Sequence, residues 1–258
     1  MQKEKIFINN EWINSREKKT RKILSPCDQT VLAEVEECSP QDAELAILAA
    51  SKALSSAPWK NISKANKQEI LQSCAELIIK NKQELAHLES LNTGKPLDQS
   101  EADMDDVASV FTYYSNLIAE EKDELLKSPY PNSRSTLKRV PIGVCTLILP
   151  WNYPLLQASW KIAPALASGS TVILKPSELT PLSLIKFIKL TSHLLPKGVL
   201  SLLTGTGQEL GEVLTSHKDV DMVSFTGSFK TGQTILKNAS QTIKKVSLEL
   251  GGKNPNII

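Results

Sequence analysis

A chain of 258 residues with 41% hydrophobic and 22% charged residues can bury the core of one large or two small α/β domains. Its formal net charge of +2 gives no support to a nucleic-acid or membrane-surface partner. The basic stretch Arg16 to Lys22, broken by Glu17 and Thr20, reads as a solvated loop. Cys27, Cys38, Cys74 and Cys145 form no C-x-x-C pair and the three histidines are scattered, so zinc has no support, and thiols of a reducing compartment fit better than a disulfide framework. Met1 to Ile6 contains no apolar run of signal-peptide length, and stretches such as Val144 to Pro150 are too short to span a bilayer; a cytoplasmic protein is expected.

In chain order, residues 6–36 read as short strands and turns around Ser25-Pro26. A helix is expected from Ser39-Pro40-Gln41-Asp42, with serine as cap, proline in the first turn and an acid at the positive helix end, continuing through the alanines to Ala57. Two further helices are expected over roughly 64–92 and 98–122, separated by the Asn92-Thr93-Gly94-Lys95-Pro96 turn. After the loop Pro129 to Ser133, residues Thr136 to Pro150 are rich in strand formers. From there strands (near 171–174, 199–203, 221–225 and 245–249) alternate with helices (near 155–167, 180–194, 208–216 and 229–239), the pattern of βαβ units. The fold class expected is α/β, a Rossmann-like, mainly parallel sheet with flanking helices. Residues 254–258 read as the opening of another buried strand, which suggests a chain that continues.

Four motifs follow strands, where open α/β sheets bind ligands. Leu149-Pro150-Trp151-Asn152-Tyr153-Pro154 closes an apolar strand and opens a helix; the Asn152 amide either stabilises an oxyanion or caps the helix. In Leu174-Lys175-Pro176-Ser177-Glu178, lysine and glutamate either clasp ribose hydroxyls or decorate a surface turn. Ser224-Phe225-Thr226-Gly227-Ser228 enters a helix whose free N–H groups suit a phosphate, or is simply a capped helix. Leu248-Glu249-Leu250-Gly251-Gly252-Lys253 places an acid before two glycines, as a mobile general base or a solvated turn acid. Gly205-Thr206-Gly207 with Gly211 imitates a G-x-G-x-x-G fingerprint but has one residue too many.

In order and wording, these motifs resemble the aldehyde dehydrogenase family, from Asn10-Glu11-Trp12 to Ile258. Asp103 to Val107, Tyr153 to Lys161 and Leu250 to Asn256 look particularly like its betaine-aldehyde branch. The resemblance implies an NAD-dependent oxidoreductase taking an aldehyde to a carboxylic acid. Under it Asn152 donates to the oxyanion and Glu249 is the general base. Lys161 matches a charge-relay lysine, with a surface lysine as the other reading. Lys175, Ser177 and Glu178 would hold the adenosine ribose, and Phe225 to Ser228 the pyrophosphate. Gly207 and Gly211 would meet the adenosine end, and Ile148, Pro150, Trp151 and Leu250 complete the NAD contacts. Tyr153 and Trp160, seven apart, match part of an aromatic box around a quaternary ammonium; core packing is the alternative.

The resemblance also implies potassium held by main-chain oxygens of Leu24 and Leu179 and by an acid where this chain has Asn92. It implies a cofactor domain of 1–124 and 143–258, a subunit-joining arm at 125–142, and a homodimer or homotetramer. The family's nucleophilic cysteine follows the general base; none of the four cysteines does, and each reads as a buried structural thiol, so a catalytic domain is expected outside this chain. The rival expectation is a non-catalytic nucleotide-binding or subunit-interaction remnant.

Overall fold

The computed structural model describes residues 3–257. Its amino-terminal part forms five short strands: β1 (Lys3–Glu4), β2 (Ile6–Ile8), β3 (Glu11–Ile13), β4 (Thr20–Leu24) and β5 (Val31–Glu36). Strands β1, β5 and β4 make a small sheet, while β2 and β3 join the main one. The stretch Arg16 to Lys22 is not wholly the solvated loop its charges suggest. β4 begins at Thr20, and the Lys19 and Arg21 side chains reach the buried Glu37 at 3.4 and 2.6 Å.

Helix α1 (Pro40–Ser55) starts as expected: Ser39 Oγ accepts from Asp42 N at 3.2 Å, and Asp42 Oδ2 accepts from Ser39 N at 2.9 Å. The same carboxylate accepts from Ser15 Oγ at 2.8 Å, which ties the strand region to the helix. After the short α2 (Ala57–Lys60), the helix expected over 64–92 is two, α3 (Lys64–Lys80) and α4 (Lys82–Thr93). No glycine or proline marks the break. Instead Asn81 turns its side chain back, Nδ2 donating to Leu77 O at 2.7 Å, a bond that competes with helix continuation. α4 ends at Gly94 in the left-handed region (φ 79°), and α5 (Leu97–Glu120) follows.

Strands β6 (Glu124–Leu126) and β7 (Ser135–Leu137) pair only with each other and leave Leu125, Leu126, Tyr130 and Leu137 exposed. The strand formers of 136–150 therefore split between β7 and β8 (Val144–Ile148). Between them Pro141 cannot donate, and Gly143 adopts φ 132° against Asp221, whose Oδ2 would lie 1.9 Å from an added Cβ. The rest alternates: α6 (Pro154–Ser168), β9 (Thr171–Lys175), α7 (Leu182–Thr191), β10 (Leu200–Leu202), α8 (Gly207–Ser216), β11 (Met222–Gly227), α9 (Phe229–Ala239) and β12 (Lys245–Leu250). The expected strand opening at 254–258 is not seen in the described part. Residues 251–257 are exposed and irregular beyond the edge strand β12, and Ile258 lies outside the described residues.

The main sheet has the order β12-β11-β8-β9-β10-β2-β3, with the first five strands parallel and β2 and β3 antiparallel additions. The chain runs outward from β8 to β9 and β10, then crosses back to β11 and β12 on the other side. That is a doubly wound sheet whose direction reverses between β8 and β11. Both faces are buried. Cys145, Leu147, Val172 and Leu174 enter the larger core under α3, α5, α6 and α7, while Val144, Ile148 and Ile173 point into a second core under α1 and α8.

Candidate active site

The carboxyl ends of the parallel strands carry all four motifs. Parallel register sets Lys175 beside Ile148, Ile148 beside Phe225, and Phe225 beside Leu248, a single row across β9, β8, β11 and β12. One step further, Thr226 lies beside Glu249 and Gly227 beside Leu250. The direction reversal between β8 and β11 falls in the middle of this row, where a crevice opens in such sheets. By contrast, a cavity of about 650 Å³ lined by Trp59, Lys67, Gly143 and Asp221 lies at the opposite, amino edge and touches none of these residues.

The turn after β8 is held from two sides. Leu149 N donates to Lys175 O at 3.0 Å, and Thr180 Oγ1 donates to Trp151 O at 3.0 Å. Asn152 is exposed and does not cap α6; Tyr153 holds the cap position and makes no side-chain cap bond. At the start of α6 the fully buried Glu89 accepts from Leu155 N at 3.3 Å. Burial drives the Glu89 carboxyl above the usual carboxylate range, against the smaller opposing pull of Lys95. Lys95 pairs with Asp103 and sets its ammonium 3.6 Å from the centre of the Tyr153 ring.

Tyr153 and Trp160 are 39% and 51% exposed, so core packing does not account for them. Tyr153 meets Lys95 near the start of α5, and Trp160 lines a cavity of about 370 Å³ with Val110, Tyr113 and Tyr114 farther along the same helix. Both rings thus lie along the seam between α5 and α6.

Lys161 is not a surface lysine. It is 8% exposed, donates to Ser224 Oγ of β11 at 2.8 Å, and is pushed below the usual lysine range by burial, with Glu249 pulling the other way. Glu249 itself is exposed within the last two residues of β12, not in the turn after it. Lys175 is likewise buried, at 4% exposure, contrary to a surface-turn reading. It donates to Pro176 O at 3.1 Å and lies 3.7 Å from Glu178; burial lowers it most, and Glu178 raises it. Ser177 Oγ accepts from Leu179 N at 3.3 Å, which fixes the loop carrying the half-exposed Glu178.

At the end of β11, Ser228 caps α9 by accepting from Thr231 N at 3.2 Å, leaving the N–H groups of Phe229 and Lys230 at the helix mouth. Gly227 leaves room for its neighbour: an added Cβ would stand 2.4 Å from the Phe225 ring, which would have to move. Thr206, not a glycine fingerprint, caps α8, and a Cβ added at Gly207 or Gly211 meets nothing within 4 Å, so that helix surface is open to close approach.

At the expected potassium position, the Asn92 side chain is committed to protein partners. Asn92 Nδ2 donates to Leu179 O at 2.9 Å and Oδ1 accepts from Leu182 N at 3.2 Å. Among the described residues, no three His, Cys, Asp or Glu side chains group to hold a metal. Cys38, Cys74 and Cys145 are buried as expected, and Cys27 is exposed, which is not. Burial lifts the Cys74 thiol to about 12 and the Cys145 thiol to about 11. No described helix is long and apolar enough to cross a membrane.

Several of these partners escape a linear reading. Thr180 and Glu89 carry no motif, Ser224 opens one without a role of its own, and Lys95 stands out only as part of a turn. Each becomes visible through burial beside a motif residue.

Comparison with known proteins identifies the family. The chain is 50% identical over 254 residues to the betaine aldehyde dehydrogenase of Bacillus subtilis (strain 168), an alignment covering 98% of this chain and 52% of that protein. It is 43% identical over 261 residues to the peroxisomal aminoaldehyde dehydrogenase 2 of Pisum sativum, again covering 98% of this chain and 52% of that one. The crystal structure of Staphylococcus aureus betaine aldehyde dehydrogenase in complex with NAD+ superposes with a TM-score of 0.96 at 46% identity, covering 98% of this chain and 50% of that one. The chain thus spans about half the length of the relatives it matches. The aldehyde dehydrogenase family profile matches residues 12–258, and the chain belongs to that family.

Proposed function

We propose that this chain provides the cofactor site, the oxyanion donor and the general base for NAD-dependent oxidation of an aldehyde to a carboxylic acid, with betaine aldehyde, yielding glycine betaine, as the substrate. The observation that carries this is the row of motif ends along the carboxyl edge, centred on the reversal between β8 and β11. The relatives' names, betaine and aminoaldehyde dehydrogenases, support the same substrate class.

In this reading Glu178 accepts from the adenosine ribose hydroxyls, with Lys175 beside it and Ser177 ordering the loop. The open faces of Gly207 and Gly211 take the adenosine end, and the free N–H groups behind Ser228 face the pyrophosphate. Phe225, Thr226, Ile148, Pro150, Trp151 and Leu250 line the path toward the nicotinamide. These groups fit a dinucleotide: they combine close backbone approach, helix-end donors and a ribose carboxylate. Bound there, NAD supplies the hydride acceptor. Asn152, exposed and free of capping duty, donates its amide N–H to the developing oxyanion. Glu249 takes a proton from water in the hydrolytic step. Lys161, held in place by its bond to Ser224, lies within the field of Glu249 as a route for that proton. Tyr153 and Trp160 offer ring faces to a trimethylammonium group.

The nucleophilic thiolate is none of the four cysteines here. Residues 1–124 and 143–258 would form one cofactor domain, and the 125–142 segment, whose apolar side chains stand exposed, would join subunits into a homodimer or homotetramer of a cytoplasmic enzyme. The test is to purify the chain, measure NAD binding by calorimetry, and follow NADH formation with betaine aldehyde. Binding without turnover is expected. Failure of the folded chain to bind NAD, or turnover abolished by thiol alkylation, defeats the proposal.

A further inference from the structure

One side chain ties the loop after β9 to the end of α4. Asn92, 4% exposed, donates from Nδ2 to Leu179 O at 2.9 Å and accepts at Oδ1 from Leu182 N at 3.2 Å. The two partners fix the amide's orientation, because a carbonyl can meet only the NH2 end and an N–H only the oxygen. Two residues on, Gly94 packs against the turn after β4; an added Cβ would lie 2.9 Å from Pro26 Cγ and 3.9 Å from Cys27 Sγ. Asn92 therefore works where the β4 turn, the α4 end and the Ser177–Leu182 loop come together.

The family resemblance implies a potassium ion at this junction. The residues present do not fit it. A potassium ion needs several oxygen lone pairs aimed at one point. Position 92 instead directs an N–H at Leu179 O, occupying the carbonyl meant for the ion, and it brings no charge.

We infer that the Asn92 amide replaces the ion as a neutral cross-link, built into the chain, so that the order of the Ser177–Leu182 loop does not depend on monovalent cation. The converse follows from the same geometry. An aspartate at 92 would set carboxylate oxygen against the Leu179 carbonyl oxygen, an arrangement that is stable only with a cation between them. The consequence for cofactor binding rests on the proposed role of Ser177 and Glu178; the cross-link itself does not.

The test is therefore read without cofactor. Thermal unfolding of the purified chain is compared in potassium chloride and in choline chloride at equal ionic strength. The unsubstituted chain should have the same Tm in both. Asn92→Asp should melt lower in choline by roughly 3–8 °C and recover in potassium. Asn92→Ala, which loses both bonds and offers no ligand, should be low in both salts. Potassium-specific stabilisation of the unsubstituted chain overturns the inference, and this measurement stands even if the aspartate variant does not fold. Equal loss by Asn92→Asp in both salts also overturns it. NAD titration in the two salts then shows separately whether the loop serves the cofactor.

Discussion

Replacing Lys95 by methionine removes an ammonium whose side chain is only 9% exposed from an Asp103 carboxylate that is 11% exposed. Methionine keeps the length and most of the volume, so the packing loss is small. What remains is a nearly buried carboxylate without its cation, which costs about 3 kcal/mol. The lost contact with the Tyr153 ring adds about 0.5–1 kcal/mol. For a chain of this size the sum lowers Tm by roughly 6–15 °C. The diagnostic step is the double variant Lys95→Met/Asp103→Leu. With both charges gone, the penalty of the orphaned carboxylate disappears, and most of the lost stability should return. Thermal unfolding followed by far-UV circular dichroism of the two single variants and the double variant measures the coupling. If Lys95→Met shifts Tm by less than about 2 °C, or the double variant is no better than the single, Lys95 is not neutralising a buried charge and the account of the Tyr153 turn is wrong.

Glu89 gives a pH-dependent outcome. Its carboxyl is raised by burial, so the folded chain keeps a proton that the unfolded chain releases, and stability declines as pH rises through the folded value. Glu89→Gln keeps an acceptor for Leu155 N and should flatten that decline in urea midpoints taken from about pH 5 to 8. At the proposed ribose end, one charge pair at about 4 Å in water is worth about 1 kcal/mol and a 2′-phosphate carries nearly two charges, so about 2 kcal/mol of repulsion from Glu178 should leave binding about tenfold weaker after screening. Calorimetry should show NAD preferred over NADP by that factor and Glu178→Gln narrowing it; equal affinities in the unsubstituted chain refute the assignment. Under the proposed function, and with the nucleophile supplied, Trp160→Ala should raise KM for betaine aldehyde by about 2- to 30-fold more than for an uncharged aldehyde of similar size. Equal increases would mean that the ring only packs.

The doubly wound half was legible because buried parallel strands are short apolar runs bounded by turn residues, and Val144–Ile148, Thr171–Lys175 and Met222–Gly227 all read that way. The Ser39–Asp42 start of α1 was legible because a capping box is local. The break at Asn81 was not, since it depends on a side chain choosing the backbone behind it over the solvent. Nor was the split between β7 and β8, which is enforced by Asp221 lying against Gly143 from far along the chain. In the candidate site, the motif residues at strand ends stood out, but their supports did not. Lys161 reads as a surface charge until β11 is laid over it, and Glu89 and Asp103 look like the solvated face of helices, and Lys95 like a turn lysine, until α4, α5 and α6 meet. Charged residues on helices are exposed by default, and only tertiary packing reverses that default.

The order of strands in the main sheet also sets a ruler. β9, which ends in the loop carrying Glu178, and β12, which holds Glu249, are three places apart with β8 and β11 between them. At about 4.8 Å per strand the two ends of the row are separated by about 14 Å. No small aldehyde reaches across that distance, whereas an elongated ligand laid transverse to the strands does. Substitutions at Glu178 and at Glu249 should therefore combine almost additively, since independent effects are the rule beyond about 7–10 Å. On the proposed roles, cofactor preference and proton transfer become separately adjustable, one in the loop after β9 and the other at the end of β12, with the buried strands between them left untouched.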